Sequence, residues 1–261
     1  MQKFNAYNLS WLVQELVHAG LIKVDEHQFG KWYGIINDGN HNDPDHHNHS
    51  EMFLLACIDR LRGFCDEHVF AKLEAVLEDY PDVNWTDALS RFQIRSKLTA
   101  YKTLKAAEAY YGDIWIMGGW VGVLPMFLID ALPKDSYTNI VSYDLDDTAN
   151  KAGERLVDSP RYRTENKDIY TLDYTNFSGT IVNTICEHLN DFKGWQRTIP
   201  QNTLMLLQSN NMFGVDDHCN CVNSLDEFIA QIEYREIIHT ETSTYSDLGD
   251  RYERYTVLAL R

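Results

Sequence analysis

Basic residues are scarce in this sequence. Lysine and arginine together number 23 against 39 aspartates and glutamates, and the formal net charge at pH 7 is −16. Both the first 110 residues and the remainder carry an acidic excess, and neither contains a stripe of clustered lysines and arginines. Neutralising the phosphates of DNA or RNA needs such clusters. The composition therefore disfavours a nucleic-acid partner and favours a small molecule or a protein as substrate.

Long hydrophobic runs and a cysteine framework are also absent. The longest apolar run, residues 120–129, is interrupted by Pro125 and is too short to cross a bilayer. The first residues are polar and show no signal peptide. Five cysteines, an odd number without regular spacing, do not indicate disulfides. We therefore expect a cytoplasmic protein with reduced thiols and no membrane contact, and the oligomeric state is not indicated.

Two hydrophobic periodicities divide the chain near residue 110. Residues 1–110 carry apolar side chains at helical spacing, with Ser10 as a candidate N-cap for the first helix. Beyond Gly112, short β-type runs alternate with helical ones. Such alternation predicts an α/β domain over residues 111–261, with a mostly parallel sheet and an antiparallel hairpin at its edge. We expect the helical N-terminal region, residues 1–110, to cover the substrate.

The predicted elements follow from this pattern. In the first region, helices are expected at residues 52–65, 69–77 and 94–111 as well as around residues 9–17. Strands are expected at residues 113–117, 139–143, 162–164, 180–185, 203–208, 235–240 and 253–260. Helices are expected between them at residues 121–132, 148–157 and 224–232, with a turn near 190–195. The polar stretch 241–250 is predicted to connect the last two strands.

Histidines cluster in a polar segment between two predicted helices. Imidazole and carboxylate groups are good metal ligands, but their spacing here is irregular and a metal site needs a rigid surround. We interpret this segment as a solvated loop, with a metal site or a lid over the substrate as alternatives. The residues concerned are His41, His46, His47, His49, Asp43 and Asp45.

A glycine-rich turn follows the apolar run that ends at Met117. Gly118, Gly119 and Gly122 allow a sharp turn and a close approach to a ligand, and a helix start presents free N–H groups. Asp144 ends the next predicted strand, where a carboxylate can hold ribose hydroxyls. This order predicts an adenosine-containing cofactor.

Each of these features also has a purely structural interpretation. Glycine is needed wherever the backbone turns with positive φ, whatever the ligand. Asp146 and Asp147 are candidate caps for the helix predicted from residue 148, and capping is the favoured interpretation for Asp147. Trp120 lies inside the turn, where its ring either walls the pocket or serves packing.

From about residue 112 to its end, the chain resembles the class I S-adenosylmethionine-dependent methyltransferases. The resemblance rests on four stretches in the right order: Met-Gly-Gly-Trp-Val-Gly (117–122), Tyr-Asp-Leu-Asp (143–146), Lys-Asp-Ile-Tyr (167–170) and Asn-Thr-Ile-Cys-Glu-His (183–188). It implies a Rossmann-like methyltransferase sheet, S-adenosyl-L-methionine as cofactor, and a methyl acceptor as substrate.

The resemblance also implies which residues bind the cofactor. The turn from Gly118 to Gly122 would lie under the methionine part, Asp144 would accept the ribose hydroxyls, and Asp168 would receive the adenine amino group. Asn183 and Thr184 would face the sulfonium and the acceptor. The implied cofactor-binding residues are Gly118, Gly119, Trp120, Gly122, Asp144, Leu145, Asp168, Ile169, Asn183 and Thr184.

Two positions depart from the family pattern. The usual acidic residue two positions before the first glycine is Ile116 here, and the usual middle glycine is Trp120. The cofactor's amino group must then be bound from elsewhere. Another reaction on the same cofactor, such as aminopropyl or aminocarboxypropyl transfer or cleavage, therefore remains an alternative to methyl transfer. A non-catalytic binding module with this fold is a further alternative.

Candidate catalytic residues follow the fourth and fifth predicted strands. Glu187 and His188 come directly after the fourth strand, and Asp217 and His218 follow the fifth. If these strands are neighbours, a histidine can take a proton from the acceptor. The alternative is that Glu187 caps a helix and His188 packs beneath it. Some small RNA methyltransferases hold a metal at this point, but their additional glutamate is Thr184 here, so no metal is predicted.

Overall fold

The computed structural model describes residues 4–37, 51–65, 69–109, 111–247 and 250–261. The chain divides into two compact units, Met1–Arg95 and Ser96–Arg261. Among the described residues no helix is both long enough and apolar enough to cross a membrane. The histidine-rich segment at 41–49 lies outside the described residues, so its predicted loop, lid or metal site stays a prediction.

The first unit is helical, as its periodicity predicted. Buried apolar side chains recur on one face of each longer helix, including Leu9, Leu16, Ile58 and Val76. Its described helices are α1 (Ala6–His18), α2 (Glu26–Asn37), α3 (Glu51–Arg62), α4 (Val69–Asp79), the short α5 (Trp85–Ala88) and the start of α6 (Arg91–Ala107).

The N-cap predicted for the first helix was wrong. Asn5, not Ser10, caps α1: its side chain accepts a hydrogen bond from the Asn8 N–H, while the Asn8 side chain accepts one from the Asn5 N–H. Ser10 lies within the helix, where its hydroxyl donates to the Tyr7 carbonyl. A reciprocal capping box satisfies two otherwise free N–H groups, which a serine one turn later cannot do.

The second unit is built on a seven-stranded sheet in the order β3-β2-β1-β4-β5-β7-β6. The first five strands run parallel, and β7 pairs antiparallel with both β5 and β6. This confirms the predicted α/β class with an antiparallel edge hairpin. The strands are β1 (Gly112–Met117), β2 (Tyr137–Asp144), β3 (Tyr162–Asn166), β4 (Gly179–Asn183), β5 (Leu204–Asn210), β6 (Glu236–Asp247) and β7 (Asp250–Leu260).

Helices connect the parallel strands. The chain between β1 and β2 forms a helix with mostly buried side chains, including Phe127 and Leu128. On the sheet, a buried cluster contains Trp195, Phe228 and Tyr255. The connecting helices are α7 (Val123–Ala131), α8 (Asp147–Val157), α9 (Phe192–Thr198) and α10 (Leu225–Ile229), with one-turn 3-10 helices at Ile169–Thr171 and Cys186–His188.

The register of the parallel strands fixes one functional edge. Met117, the last residue of β1, lies opposite Tyr143 of β2 and Asn183 of β4. The loops that follow β1, β2 and β4 therefore leave the sheet at the same level. In open α/β sheets, ligands bind outside the carboxyl ends of the strands.

Two element boundaries differ from prediction for physical reasons. β4 ends at Asn183 rather than at residue 185, because the Asn183 side chain accepts the Ile185 N–H and turns the chain out of the sheet. The stretch predicted to connect the last two strands is itself largely paired: β6 runs to Asp247 and β7 starts at Asp250. Cross-strand pairing outweighs the weak strand preference of its polar residues.

Candidate functional site

The turn after β1 contains three residues with left-handed backbone. Gly118 has φ +65°, Trp120 has φ +44° and Gly122, the N-cap of α7, has φ +76°. Glycine adopts this region freely, whereas for a bulky L-residue it costs about 1–2 kcal/mol. Trp120 therefore has a left-handed backbone conformation at the position where the methyltransferase family that the sequence resembles usually has glycine. Strain of this kind persists only where the surroundings impose it.

Each of the three glycines of the turn lies close to neighbouring atoms of the protein. A Cβ at Gly118 would lie 2.5 Å from the Ile185 side chain, and one at Gly119 would lie 2.4 Å from that of Ser142. At Gly122 it would lie 3.0 Å from the Gly153 Cα, where α7 meets α8. The structural interpretation of the glycines therefore holds at every position, and on its own the turn does not demonstrate a ligand.

Asp144 faces this turn from the end of β2. Its Oδ2 accepts the Trp120 N–H at 2.9 Å, and its Oδ1 accepts the Asp146 N–H at 3.0 Å. A carboxylate has about four acceptor positions, so two backbone donors leave room for further hydroxyls. Leu145, the next residue, is 70% exposed. A carboxylate fixed beside an exposed apolar side chain suits a sugar attached to an aromatic base.

The helix cap next to Asp144 is Asp146 and not Asp147. The Asp146 carboxylate accepts the N–H groups of Thr148 and Ala149, at 2.9 and 3.0 Å. Asp147 is the first residue of α8 and pairs with Lys151 at 2.6 Å. The capping role predicted for Asp147 therefore belongs to Asp146, one residue earlier.

Asp168 and Ile169 lie after β3. The Asp168 Oδ1 accepts the Tyr170 N–H at 2.9 Å and so caps a 3-10 turn, while no contact of Oδ2 is seen in the described residues. Ile169 is buried and belongs to the core cluster on the sheet. Their predicted contacts with an adenine ring stay predictions.

Asn183 and Thr184 are buried where β4 ends. The Asn183 Nδ2 has no hydrogen-bond partner among the described residues, although its residue is fully buried. The Thr184 hydroxyl accepts a hydrogen bond from the Lys97 ammonium at 2.9 Å. A buried amide donor without an acceptor costs about 1–3 kcal/mol, and such a group asks for a ligand or water.

Glu187 is held in a buried ion pair. Its Oε1 accepts the Asn210 amide at 2.6 Å and the Arg254 guanidinium at 3.2 Å, and both charged side chains are less than 5% exposed. Arg254 also donates to the Thr184 carbonyl. Neither the catalytic nor the capping interpretation anticipated this pair. The second carboxylate oxygen, Oε2, is buried without a partner among the described residues.

His188 and His218 lie against each other, as the topology predicted. Their ring centroids are 4.6 Å apart and nearly perpendicular. The His188 Nδ1 lies 3.2 Å from the Asp217 carboxylate, and the His218 Nδ1 lies 3.0 Å from the Met212 carbonyl. Both rings are partly exposed. The loops after β4 and β5 thus converge at one edge of the sheet.

Backbone hydrogen bonds tie these two loops together. The Glu187 carbonyl accepts the N–H groups of Cys219 and Asn220, at 2.9 and 2.8 Å, and the Asn220 side chain donates to the Cys186 carbonyl. The Cys221 thiol lies 3.5 Å from the His218 Nδ1, and burial raises its pKa to about 11. The thiol is therefore neutral near pH 7.

Three side chains that contact the candidate site residues were not predicted: Lys97, Asn210 and Arg254. Asn210 and Arg254 face each other in the β5–β7 register, so the partners of Glu187 come from the antiparallel edge of the sheet. The only available signal was position, since Asn210 ends the strand next to β4. Lys97 comes from the part of α6 that belongs to the second unit.

The sequence matches no family model and no curated protein. The structure is similar to solved methyltransferase structures. The N-methyltransferase NodS of Bradyrhizobium japonicum WM9, in complex with S-adenosyl-L-homocysteine, has a TM-score of 0.52 at 10% identity, over 72% of this chain and 98% of that one. A second NodS structure has a TM-score of 0.50 at 9% identity, over 64% and 96%.

A Leishmania major protein described as a SAM-dependent methyltransferase gives a TM-score of 0.50 at 11% identity, over 74% of this chain and 85% of that one. At such low identity, the similarity establishes the fold. The strand order, the antiparallel β7 and these similarities agree. The chain therefore has the Rossmann-like fold of the class I S-adenosylmethionine-dependent methyltransferases.

Proposed function

We propose that this protein is a class I S-adenosylmethionine-dependent methyltransferase acting on a small-molecule or protein acceptor. The observation that carries the proposal is Asp144: in a methyltransferase fold, its carboxylate ends β2 and is fixed by the Trp120 N–H at 2.9 Å. The NodS structure with the same fold contains S-adenosyl-L-homocysteine. That ligand is the product of methyl transfer from S-adenosylmethionine.

The side chains around Asp144 fit this cofactor. The remaining acceptor positions of the carboxylate suit two ribose hydroxyls. Leu145, exposed beside it, offers an apolar surface for adenine. Asp168 keeps Oδ2 for the adenine amino group, as the sequence resemblance implies.

The methionine end of the cofactor would lie between the turn and β4. The unpartnered Nδ2 of Asn183 is a donor, so it suits a carboxylate oxygen rather than the cofactor's ammonium group. Ile116, at the usual acidic position, is buried at 1% exposure and cannot bind the ammonium. We infer that the Asn183 amide binds the carboxylate at the methionine end of the cofactor, in place of further contacts from the turn.

Methyl transfer asks mainly for alignment. A lone pair of the acceptor attacks the methyl carbon, the carbon–sulfur bond breaks, its electron pair stays on sulfur, and the acceptor releases a proton. Because the sulfonium is already a good leaving group, holding the nucleophile, carbon and sulfur in line is the main catalytic task. The acceptor would lie at the edge of the sheet that carries Thr184, His188 and His218, and the covering role of residues 1–110 stays a prediction.

Calorimetry of the full chain with S-adenosyl-L-homocysteine tests the cofactor site. Asp144→Asn keeps the side-chain size but introduces an NH₂ group that faces backbone donors. We expect it to weaken binding at least tenfold, about 1.4 kcal/mol. Asp147→Asn is the matched control, since Asp147 is exposed in the same segment, and its affinity should equal that of the parent.

Absence of binding by the parent chain, or equal affinity of Asp144→Asn, would contradict the proposed cofactor site. A ligand-free melting curve of Asp144→Asn separates a lost contact from a lost fold. Incubation with S-adenosylmethionine and candidate acceptors then distinguishes the reactions. S-adenosylhomocysteine indicates methyl transfer, whereas methylthioadenosine indicates transfer or cleavage of another arm of the cofactor.

A further inference from the structure

We propose that Glu187, His188 and His218 form a binding site for one divalent transition-metal ion. One ligand atom from each, a carboxylate oxygen and two imidazole nitrogens, can be chosen so that all lie within 4.8 Å of one another. Among the described residues, this is the one group of three with that property. The sequence predicted no metal here, because Thr184 stands where some small RNA methyltransferases have an additional glutamate ligand.

Each histidine has a hydrogen-bond acceptor next to its Nδ1. The His188 Nδ1 faces the Asp217 carboxylate, and the His218 Nδ1 faces the Met212 carbonyl. The Asp217 carboxylate and the Met212 carbonyl can only accept, so both favour the neutral tautomer that carries its proton on Nδ1 and a lone pair on Nε2, although the Cys221 thiol also lies 3.5 Å from the His218 Nδ1. Metal-ligating histidines almost always have this arrangement, with the second nitrogen bonded to a carboxylate or a backbone carbonyl.

Glu187 supplies the third group and an independent reason to expect a ligand. Its Oε1 is bonded to Asn210 and Arg254, but its Oε2 is buried with no partner among the described residues. A buried carboxylate oxygen without a donor is costly unless a cation or a hydrogen bond compensates it. Arg254 compensates one oxygen, and a metal ion next to the two histidines would compensate the other.

The site is also rigid before any ion binds. The Glu187 carbonyl is bonded to the N–H groups of Cys219 and Asn220, so the loop that carries His218 is fixed to the turn that carries His188. Glu187 itself is held from β5 and β7 through Asn210 and Arg254. Rigid support of the ligands is what separates a metal site from a chance cluster of histidines.

Two imidazoles and one carboxylate favour a particular class of ion. This set suits zinc and other first-row transition metals and disfavours calcium and magnesium, which prefer all-oxygen ligands. Three protein ligands leave coordination positions open. If the proposed methyltransferase function holds, the open positions would bind an oxygen or nitrogen of the acceptor and make its proton easier to lose. The metal binding itself does not depend on that function.

Zinc calorimetry on the full chain, after removal of metal with EDTA, tests the proposal. All proteins in the series carry His41→Asn, His46→Asn, His47→Asn and His49→Asn, so that the histidine-rich segment does not contribute. We expect one zinc ion per chain, with affinity reduced at least a hundredfold in His188→Ala and in His218→Ala. His239→Ala is the matched control because that histidine lies on β6, outside the cluster, and is about half exposed. Its affinity should equal that of the parent.

A milder variant keeps the test valid if those substitutions unfold the chain. Asp217 is 73% exposed and lies 3.2 Å from the His188 Nδ1, so Asp217→Asn should fold normally and bind zinc about 10- to 100-fold more weakly. With cobalt, the parent should show visible absorption bands that His218→Ala lacks. The site would be overturned if the parent shows no saturable zinc binding. It would also be overturned if Asp217→Asn and His218→Ala both bind zinc with the affinity of the parent.

The two proposals fail separately. Loss of zinc binding with intact binding of S-adenosyl-L-homocysteine would refute the metal site alone. Zinc binding without cofactor binding would refute the proposed methyltransferase function and leave the metal site standing.

Discussion

Breaking the Glu187–Arg254 pair should destabilise the sheet domain strongly. The two side chains are 3% and 4% exposed, so neither charge is solvated when its partner is lost. Arg254→Met keeps the length and apolar stem of the side chain but leaves the carboxylate with one neutral donor, Asn210. Removing one partner of a buried pair costs about 3–5 kcal/mol. For a domain of this size that lowers the melting temperature by about 6–20 °C.

The assay measures the free energy of unfolding of the full chain by urea denaturation with EDTA present, monitored by circular dichroism. Arg251→Met is the matched control, because Arg251 lies on the same strand, pairs with Glu253 at 3.0 Å and is 69% exposed. An exposed pair contributes at most about 1 kcal/mol. The double variant Glu187→Leu with Arg254→Met should regain at least half of the loss, since it removes both buried charges.

A double-mutant cycle of Arg254→Met, Glu187→Leu and their combination, together with the Arg251→Met control, can refute this reasoning in two ways. If Arg254→Met costs no more than Arg251→Met, the pair is not buried in the folded protein. If the double variant is as unstable as the sum of the two single variants, the charges do not interact, and the loss reflects packing alone.

Two further predictions concern the backbone strain and the thiols. Trp120→Gly should be more stable than Trp120→Ala by about 1 kcal/mol, because both lose the ring but only glycine relieves φ +44°; equal melting temperatures would contradict the left-handed conformation. At pH 8, iodoacetamide should modify Cys219, which is exposed, well before Cys221, whose pKa is about 11. The thiolate is the reactive form, so Cys221 labelling, read by peptide mass spectrometry, should rise as pH approaches that value; equal rates at pH 8 would contradict its burial.

The fold could be predicted because its signals are local. Apolar runs that end in polar residues marked β1, β2, β4 and β5, and each was found within a few residues of its predicted position. The hairpin was predicted, but not its length, because residues 241–247 owe their strand conformation to pairing with β7. Local pattern does not report such pairing.

The candidate site was only partly predictable. Glu187, His188 and His218 could be proposed as neighbours because adjacent parallel strands end at the same edge. What each does depends on partners far away in sequence. Arg254 reaches Glu187 across 67 residues, and no spacing in the sequence relates them. The ion pair therefore changes the interpretation of Glu187 from a free base to a carboxylate with one oxygen occupied.

The glycine turn and the histidine pair meet at Ile185. Its side chain fills the space beside Gly118, where a Cβ would come within 2.5 Å, and its own N–H is accepted by Asn183. Three residues further along the chain, the His188 N–H bonds to the Ile185 carbonyl, and its ring lies against His218. A donor bound at the turn and an acceptor bound at the histidines would thus both lie against one close-packed segment of chain. Close-packed protein interiors transmit small shifts. That segment would therefore fix the line from nucleophile to methyl carbon to sulfur on which the transfer depends.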